Sequence, residues 1–221
     1  TLTATDADAS STLSFVLSGT DAASFTLDSA TGVLAFVGEP DYETQSSYNI
    51  TLTVSDGDNE ATQSITVLII NLNDSNPVIT SSATFTADEN QTAIGTVTAT
   101  DADGDTLTFS LYGADANSVG ITSDTGVLTF VSAPDYETKS TYSGTVRVSD
   151  GTNVTTQDIT ITVNNLDDES PVFSSSDTFT ADENQTAIGT VTATDIDSDS
   201  ITFSISGSEI VIDSNTGVLT F

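Results

Sequence analysis

Histidine, cysteine, methionine and tryptophan are all missing from this chain. Without imidazole or thiolate there are no zinc ligands of the usual kind, no cysteine nucleophile, no disulfide, and no histidine acid–base pair. Positive charge is scarce as well: Lys139 and Arg147 stand against 33 Asp and Glu, a formal net charge of −31 at pH 7. A chain so acidic repels a phosphate backbone, which excludes nucleic acid as a partner. The longest apolar run, Val67 to Ile70, falls far short of the roughly 20 residues that cross a bilayer as a helix, so no transmembrane segment is expected. The chain opens in Thr-rich sequence with no basic region followed by an apolar one, so a signal for export is expected elsewhere or not at all.

What the sequence does contain is repetition. TATD occurs at 3–6, 98–101 and 192–195, and ADENQTAIGTVTATD occurs twice, from 87 and from 181. PDYET recurs at 40 and 134, VSDG at 54 and 148, and NLND at 71 returns as NLDD at 165, each 94 residues on. That period is the size of one small domain with its own core, too long for a solenoid turn. Pro77 and Pro171 follow the acidic NLND and NLDD strings and stop one strand before the next begins. The expected boundaries are 1–73, a repeat cut at its N-terminal side; 74–167, a complete repeat; and 168–221, a repeat cut at its C-terminal side, with an exposed sheet edge expected there.

Within each repeat apolar residues alternate with Thr and Ser at a period of two, as in Leu107, Phe109, Leu111 and in Ile159, Ile161, Val163. No helical spacing persists. Gly, Asp, Asn and Ser separate these runs, and Gly32, Gly126 and Gly217 close SxTG turns before an inward-facing Val or Leu. About seven short strands per repeat predict an all-β chain of tandem Ig-like Greek-key β-sandwiches.

The carboxylates gather in recurring strings at the predicted strand ends: Asp88-Glu89-Asn90, Asp101-Ala102-Asp103, Asp135-Tyr136-Glu137, Asp150, and the strings between repeats. Two carboxylates separated by one residue lie on the same side of an extended segment, as a multi-oxygen cation site requires. Calcium takes six to eight oxygens and accepts carboxylates, Asn side chains and main-chain carbonyls together; magnesium demands tighter octahedral geometry, and zinc lacks its usual donors here. Each string taken alone also reads as an ordinary turn, cap or solvated loop; their recurrence at a fixed period favours metal binding.

In this order, ADEN, DAD, PDYE, VSDG and NLNDSNP resemble the motifs of the cadherin repeat over essentially the whole chain, most closely a bacterial-type cadherin domain of a surface adhesin or large secreted protein. The resemblance implies calcium between consecutive repeats. At the first junction the implied ligands are Asp41, Glu43, Asn71, Asn73, Asp74, Asp101, Asp103 and Asp150, with main-chain oxygens of Leu72 and Ser75. At the second they are Glu89, Asp135, Glu137, Asn165, Asp167, Asp168, Asp195 and Asp197, with main-chain oxygens of Leu166 and Glu169. Asp6, Asp8 and Asp56 match the upper half of a further site. Asn71 and Asn165 depart from the family's Asp at the head of the linker, and Asp167 replaces an Asn.

Three functions remain to be weighed. A calcium-stiffened spacer or adhesion module of an extracellular or cell-surface protein fits the repeats and charge, with calcium, adjacent repeats, a cell-surface ligand or homophilic contact as partners. A polysaccharide-binding module is the alternative, but sugar platforms need exposed aromatics, and of five tyrosines only Tyr112 falls outside both the DYE strings and the core-facing alternations. An enzyme fares worst: a carboxylate pair such as Asp135 and Glu137 is the equipment of glycoside hydrolysis, yet this pair recurs in the first two repeats, each time at a strand end with no aromatic cleft.

Overall fold

Alternating apolar and polar residues become strands wherever a neighbour takes up the backbone hydrogen bonds. The computed structural model describes residues 1–7 and 12–221. It divides into two units: Thr1–Pro77 with Thr100–Thr106 and Asp150–Asn153, and Val78–Ala99 with Leu107–Ser149 and Val154–Phe221.

The first unit holds β1 (Ser14–Ser18), β2 (Phe25–Leu27), β3 (Leu34–Phe36), β4 (Ser47–Ser55) and β5 (Glu60–Leu68). β1, β4 and β5 form one antiparallel sheet, and β2 pairs with β3. Alternation along β4 turns Tyr48, Ile50 and Leu52 inward, with Tyr48 opposite Val67 and Ile50 opposite Ile65 on β5. Phe25, Tyr48 and Ile50 make a small core on which Leu17, Leu34 and Phe36 pack. The Tyr48 ring stands edge-on to Phe25 and Phe36, with centroids 5.7 and 5.2 Å away, a favoured aromatic geometry.

The second unit is larger. It contains β6 (Val78–Ile79), β7 (Thr84–Asp88) and β8 (Ala93–Thr96); β9 (Ala99–Thr100) runs across the division between units. Then come β10 (Thr108–Tyr112), β11 (Val119–Ile121), β12 (Val127–Phe130), β13 (Thr141–Ser149) and β14 (Val154–Asn164). One sheet runs β10-β13-β14-β7 and the other β11-β12-β8. β7 joins β14 in parallel, setting Phe85 opposite Ile161 and Ala87 opposite Val163. Val146, Val148, Ile159 and Ile161 of the first sheet share a core with Val119, Leu128 and Phe130 of the second, giving an Ig-like β-sandwich. Leu128, Val146 and Val148 are 0% exposed, and each such side chain contributes about 1.5–3 kcal/mol of burial free energy.

The SxTG turn works as its sequence implies. Gly126 has φ +69°, and a Cβ there would lie 2.2 Å from the Val97 carbonyl oxygen, while the Val97 N–H donates to the Gly126 carbonyl at 2.9 Å. No L side chain fits this close approach.

Beyond residue 167 the unit continues as β15 (Val172–Phe173), β16 (Ala187–Thr190), β17 (Ala193–Thr194), β18 (Val211–Ile212) and β19 (Val218–Thr220). β15 pairs with β17, and β19 lies between β16 and β18. Apolar surface is open here: Phe173 is 71% exposed, and a cavity of about 350 Å³ is lined by Phe173, Val191, Ile201, Phe203 and Leu219.

Candidate metal centre

The linker Asn71–Ser75 folds onto the loops 100–106 and 150–153 within the first unit. Asp103 Oδ2 accepts the N–H groups of Asp74 and Ser75 at 3.1 and 2.9 Å, and the Asn71 side-chain amide donates to the Asp103 carbonyl at 2.8 Å. Asn73 donates to the Asp150 carbonyl at 3.3 Å, and Asn153 donates to Asn73 Oδ1 at 2.9 Å and to the Ser75 carbonyl at 3.0 Å. The Leu72 carbonyl accepts from Asp74 N–H at 3.0 Å. Two carboxylate clusters result, each with one oxygen per residue within 4.8 Å of the others: Glu43, Asp74 and Asp103; and Asp101, Asp103 and Asp105.

The second unit repeats the arrangement. Asp197 Oδ2 accepts from the N–H groups of Asp168 and Glu169 at 3.1 and 2.8 Å, and Asn165 donates to the Asp197 carbonyl at 3.0 Å. Glu89, only 2% exposed, accepts Tyr136 N–H on Oε2 at 2.8 Å and Leu166 N–H on Oε1 at 2.7 Å. Asn90 donates to Asp168. The clusters are Glu89, Glu137 and Asp168; and Asp167, Asp197 and Asp199.

Electrostatics follows the crowding. Desolvation first, and the Asp103 and Asp41 carboxylates after it, hold Glu43 above the ordinary carboxylate range. Desolvation, then Asp197 and Glu89, does the same to Glu137. Asp105 is raised by desolvation and by Asp101, Asp103 and Asp150; Asp199 by desolvation and by Asp167, Asp195 and Asp197. Asp41 and Asp135 behave otherwise. Each accepts from the Thr three residues on, Asp41 from the Thr44 hydroxyl at 2.8 Å and Asp135 from Thr138 N–H at 2.9 Å, and these bonds lower both.

Asp41, Asp135, Asp150 and Asp195 stand outside the four clusters. Asp150 is 8% exposed, and its carboxylate accepts from Thr152 and Asn153. Asp6 and Asp56 line one small cleft with Asn59, whose N–H, with that of Asp58, draws Asp56 down to about 2. Asp8 lies outside the described residues. Asn at 71 and 165 has a local reason: its amide donates to a main-chain carbonyl, and an Asp carboxylate has no hydrogen to give.

Asp105 and Asp199 are the cluster members that the acidic strings did not single out. Their signal is the third carboxylate of DADGD and DIDSD, two residues beyond each Asp pair and 94 residues apart.

The donor set fits a hard cation. Four buried carboxylate oxygens, Asp101 Oδ2, Asp103 Oδ1, Glu137 Oε1 and Asp197 Oδ1, have no hydrogen-bond partner among the described residues. A buried charged oxygen without a partner is costly, and an ion that gathers six to eight oxygens satisfies it. The tyrosines give little to a planar ligand: Tyr48 and Tyr142 are buried, Tyr136 packs on the core, and Tyr42 and Tyr112 are 37% and 49% exposed. Among the described residues no helix is long and apolar enough to cross a membrane.

The sequence profile of the Cadherin domain matches residues 1–73 and 82–164, more than half of the chain. Human Protocadherin Fat 1 is 30% identical over 174 residues, covering 72% of this chain and 4% of that protein. Protocadherin-11 X-linked of Pongo pygmaeus is 33% identical over 186 residues, covering 78% of this chain and 14% of that protein. Among solved structures, mouse Cadherin-23 EC22-24 superposes with a TM-score of 0.70 at 26% identity, covering 95% of this chain and 75% of that one.

Proposed function

The chain belongs to the cadherin domain family, and from that premise we propose that it is a calcium-dependent extender, its linkers stiffened by calcium bound where consecutive repeats join. Cadherin domains are extracellular adhesion modules of the cell surface; this chain is one of them and is not an enzyme. The repeats on this reading run 1–73, 74–167 and 168–221. Calcium is held at the first junction by Glu43, Asp74, Asp101 and Asp103 with Asp41, Asn73, Asp150 and linker carbonyls. At the second it is held by Glu89, Glu137, Asp168 and Asp197 with Asp135, Asp167 and Asp195.

The observation that carries this reading is the set of orphaned buried carboxylate oxygens in both units, of which Asp103 Oδ1 and Asp197 Oδ1 stand at equivalent places. Calcium supplies one thing there, positive charge to which these oxygens bind. The chain supplies the rest: Asp103 and Asp197 pin the linker backbone through their Oδ2 atoms, leaving Oδ1 for the ion. Without the ion, like charges oppose one another and the linker loosens; with it, repulsion becomes attraction. Its partners are then calcium and the neighbouring repeats of its own chain, with any cell-surface, carbohydrate or homophilic contact carried on exposed loops.

Calcium titration by calorimetry on the chelator-stripped chain, with a thermal melt in calcium and in chelator, tests this. Saturable binding with a large rise in melting temperature, reduced by Asp168→Ala, is the expected result. No uptake at millimolar calcium with an unchanged melt overturns it.

A further inference from the structure

Each unit gathers one carboxylate that lies outside the acidic strings matching the cadherin pattern. Asp105 lies with Asp101 and Asp103, and Asp199 with Asp167 and Asp197, one oxygen of each residue within 4.8 Å of its fellows. We infer that Asp105 and Asp199 are direct side-chain ligands of an outer cation, at a position separate from the one served by Glu43 and Asp74 or by Glu89, Glu137 and Asp168. This rests on the calcium reading above and adds to it one side-chain ligand in each unit.

The loop geometry explains why the third carboxylate arrives there. Asp101 Oδ1 accepts the N–H groups of Asp103 and Asp105 at 3.0 and 3.3 Å, which curls the DADGD segment back on its first residue. Asp195 Oδ1 accepts Asp197 N–H at 2.9 Å in DIDSD. The independent sign of a ligand is the orphaned oxygen. Asp197 is 6% exposed, its Oδ2 is taken by two linker N–H groups, and its Oδ1 has no partner among the described residues. Asp101 Oδ2 and Asp103 Oδ1 are orphaned in the same way in the first unit.

Asp103 with Asp105 and Asp197 with Asp199, the same pair 94 residues apart, are joined by Asp101 in one unit and by Asp167 in the other, and with buried oxygens left free each trio forms an all-oxygen site suited to calcium. The inner cluster differs in kind. It draws a glutamate from the DYE string together with a linker aspartate, Glu43 with Asp74 and Glu137 with Asp168. In the second unit the two clusters share no residue, so losing Asp199 leaves every inner ligand in place.

The test is calorimetric titration of the stripped whole chain with calcium chloride, comparing wild type, Asp105→Asn, Asp199→Asn, the double variant, and Glu137→Gln as an inner-cluster control. Each substitution keeps side-chain volume, and melts in chelator check that the fold is intact. The double variant is expected to weaken the binding steps that these two clusters carry, their affinity falling at least by the roughly 10- to 100-fold that loss of an outer-shell partner costs. Glu137→Gln should instead weaken a step that Asp199→Asn leaves unchanged. A double variant with wild-type stoichiometry and affinities overturns the ligand assignment and leaves calcium binding itself standing. A double variant that melts lower in chelator and loses every step points to a folding role and also overturns the assignment. Wild type without saturable uptake sinks both readings.

Discussion

Oε1 of Glu89 accepts the backbone N–H of Leu166 at 2.7 Å, joining residues 77 positions apart in the chain. Because Oε2 holds Tyr136 N–H at the same time, this carboxylate, 2% exposed, anchors the linker to the DYE turn. Glu89→Ala leaves two backbone donors without their acceptor, at about 1–3 kcal/mol each. A loss of about 2–4 kcal/mol in urea unfolding is expected even in chelator, with a smaller loss for Glu89→Gln, which keeps one acceptor.

Asn165→Asp should act in opposite directions in chelator and in calcium. The substitution removes the hydrogen bond to the Asp197 carbonyl at 3.0 Å and adds a negative charge beside Asp197. In chelator the melt should fall, with about 1 kcal/mol lost from the hydrogen bond alone. In calcium the added carboxylate should raise affinity, since ligand charge tunes these sites. Paired melts in the two conditions check the change of sign.

Gly126→Ala should be far more damaging than Gly57→Ala. Both glycines have positive φ, +69° and +104°, yet a Cβ at 126 would meet the Val97 carbonyl oxygen at 2.2 Å, whereas at 57 nothing lies within 4 Å. Backbone strain alone costs about 1–2 kcal/mol, the expected loss at 57. The clash at 126 adds to it, and chemical denaturation of the two variants should separate them clearly.

Lys139 bonds Asp115 and sits 4.6 Å from the Tyr142 ring centroid. Its side chain, then the Ser143 N–H, holds Asp115 below the ordinary carboxylate range. A carboxylate depressed on folding stabilises above its unfolded value of about 3.9 and loses that contribution as pH falls through the folded one. Lys139→Met should therefore lower the melt at neutral pH and flatten its decline below about pH 4. Lys139 is 43% exposed, so solvent screening keeps the difference under roughly 1 kcal/mol.

The core positions were legible because a strand buries every second residue: Ile50 and Leu52, Phe109, and Ile159 with Ile161 and Val163 all turn inward as their alternation requires. The acidic strings were legible as oxygen-rich segments, and Glu43, Glu137, Asp168 and Asp197 do enter carboxylate clusters. Some companions were legible as well, since the cadherin resemblance already groups Glu43 with Asp74 and Asp103, and Glu89 with Glu137 and Asp168; the rest were not. Asp41 and Asp135 sit in the same strings as Glu43 and Glu137 but bond their own turns, while Asp105 and Asp199 join clusters without belonging to a string. Local spacing places a carboxylate at a strand end; the turn of the loop beyond it decides which way its oxygens face.

TFTAD stands at 84–88 and again, letter for letter, at 178–182. At 84–88 it is β7, paired in parallel with β14, whereas at 178–182 it forms no strand. The amino-acid sequence by itself determined the β class, the period, the turn glycines and the oxygen-only chemistry, because each depends on the residue and its near neighbours. Only the tertiary structure decided which TFTAD became a strand and which carboxylates met, because a strand needs a second backbone to bond and a cation site needs oxygens from segments far apart in the chain.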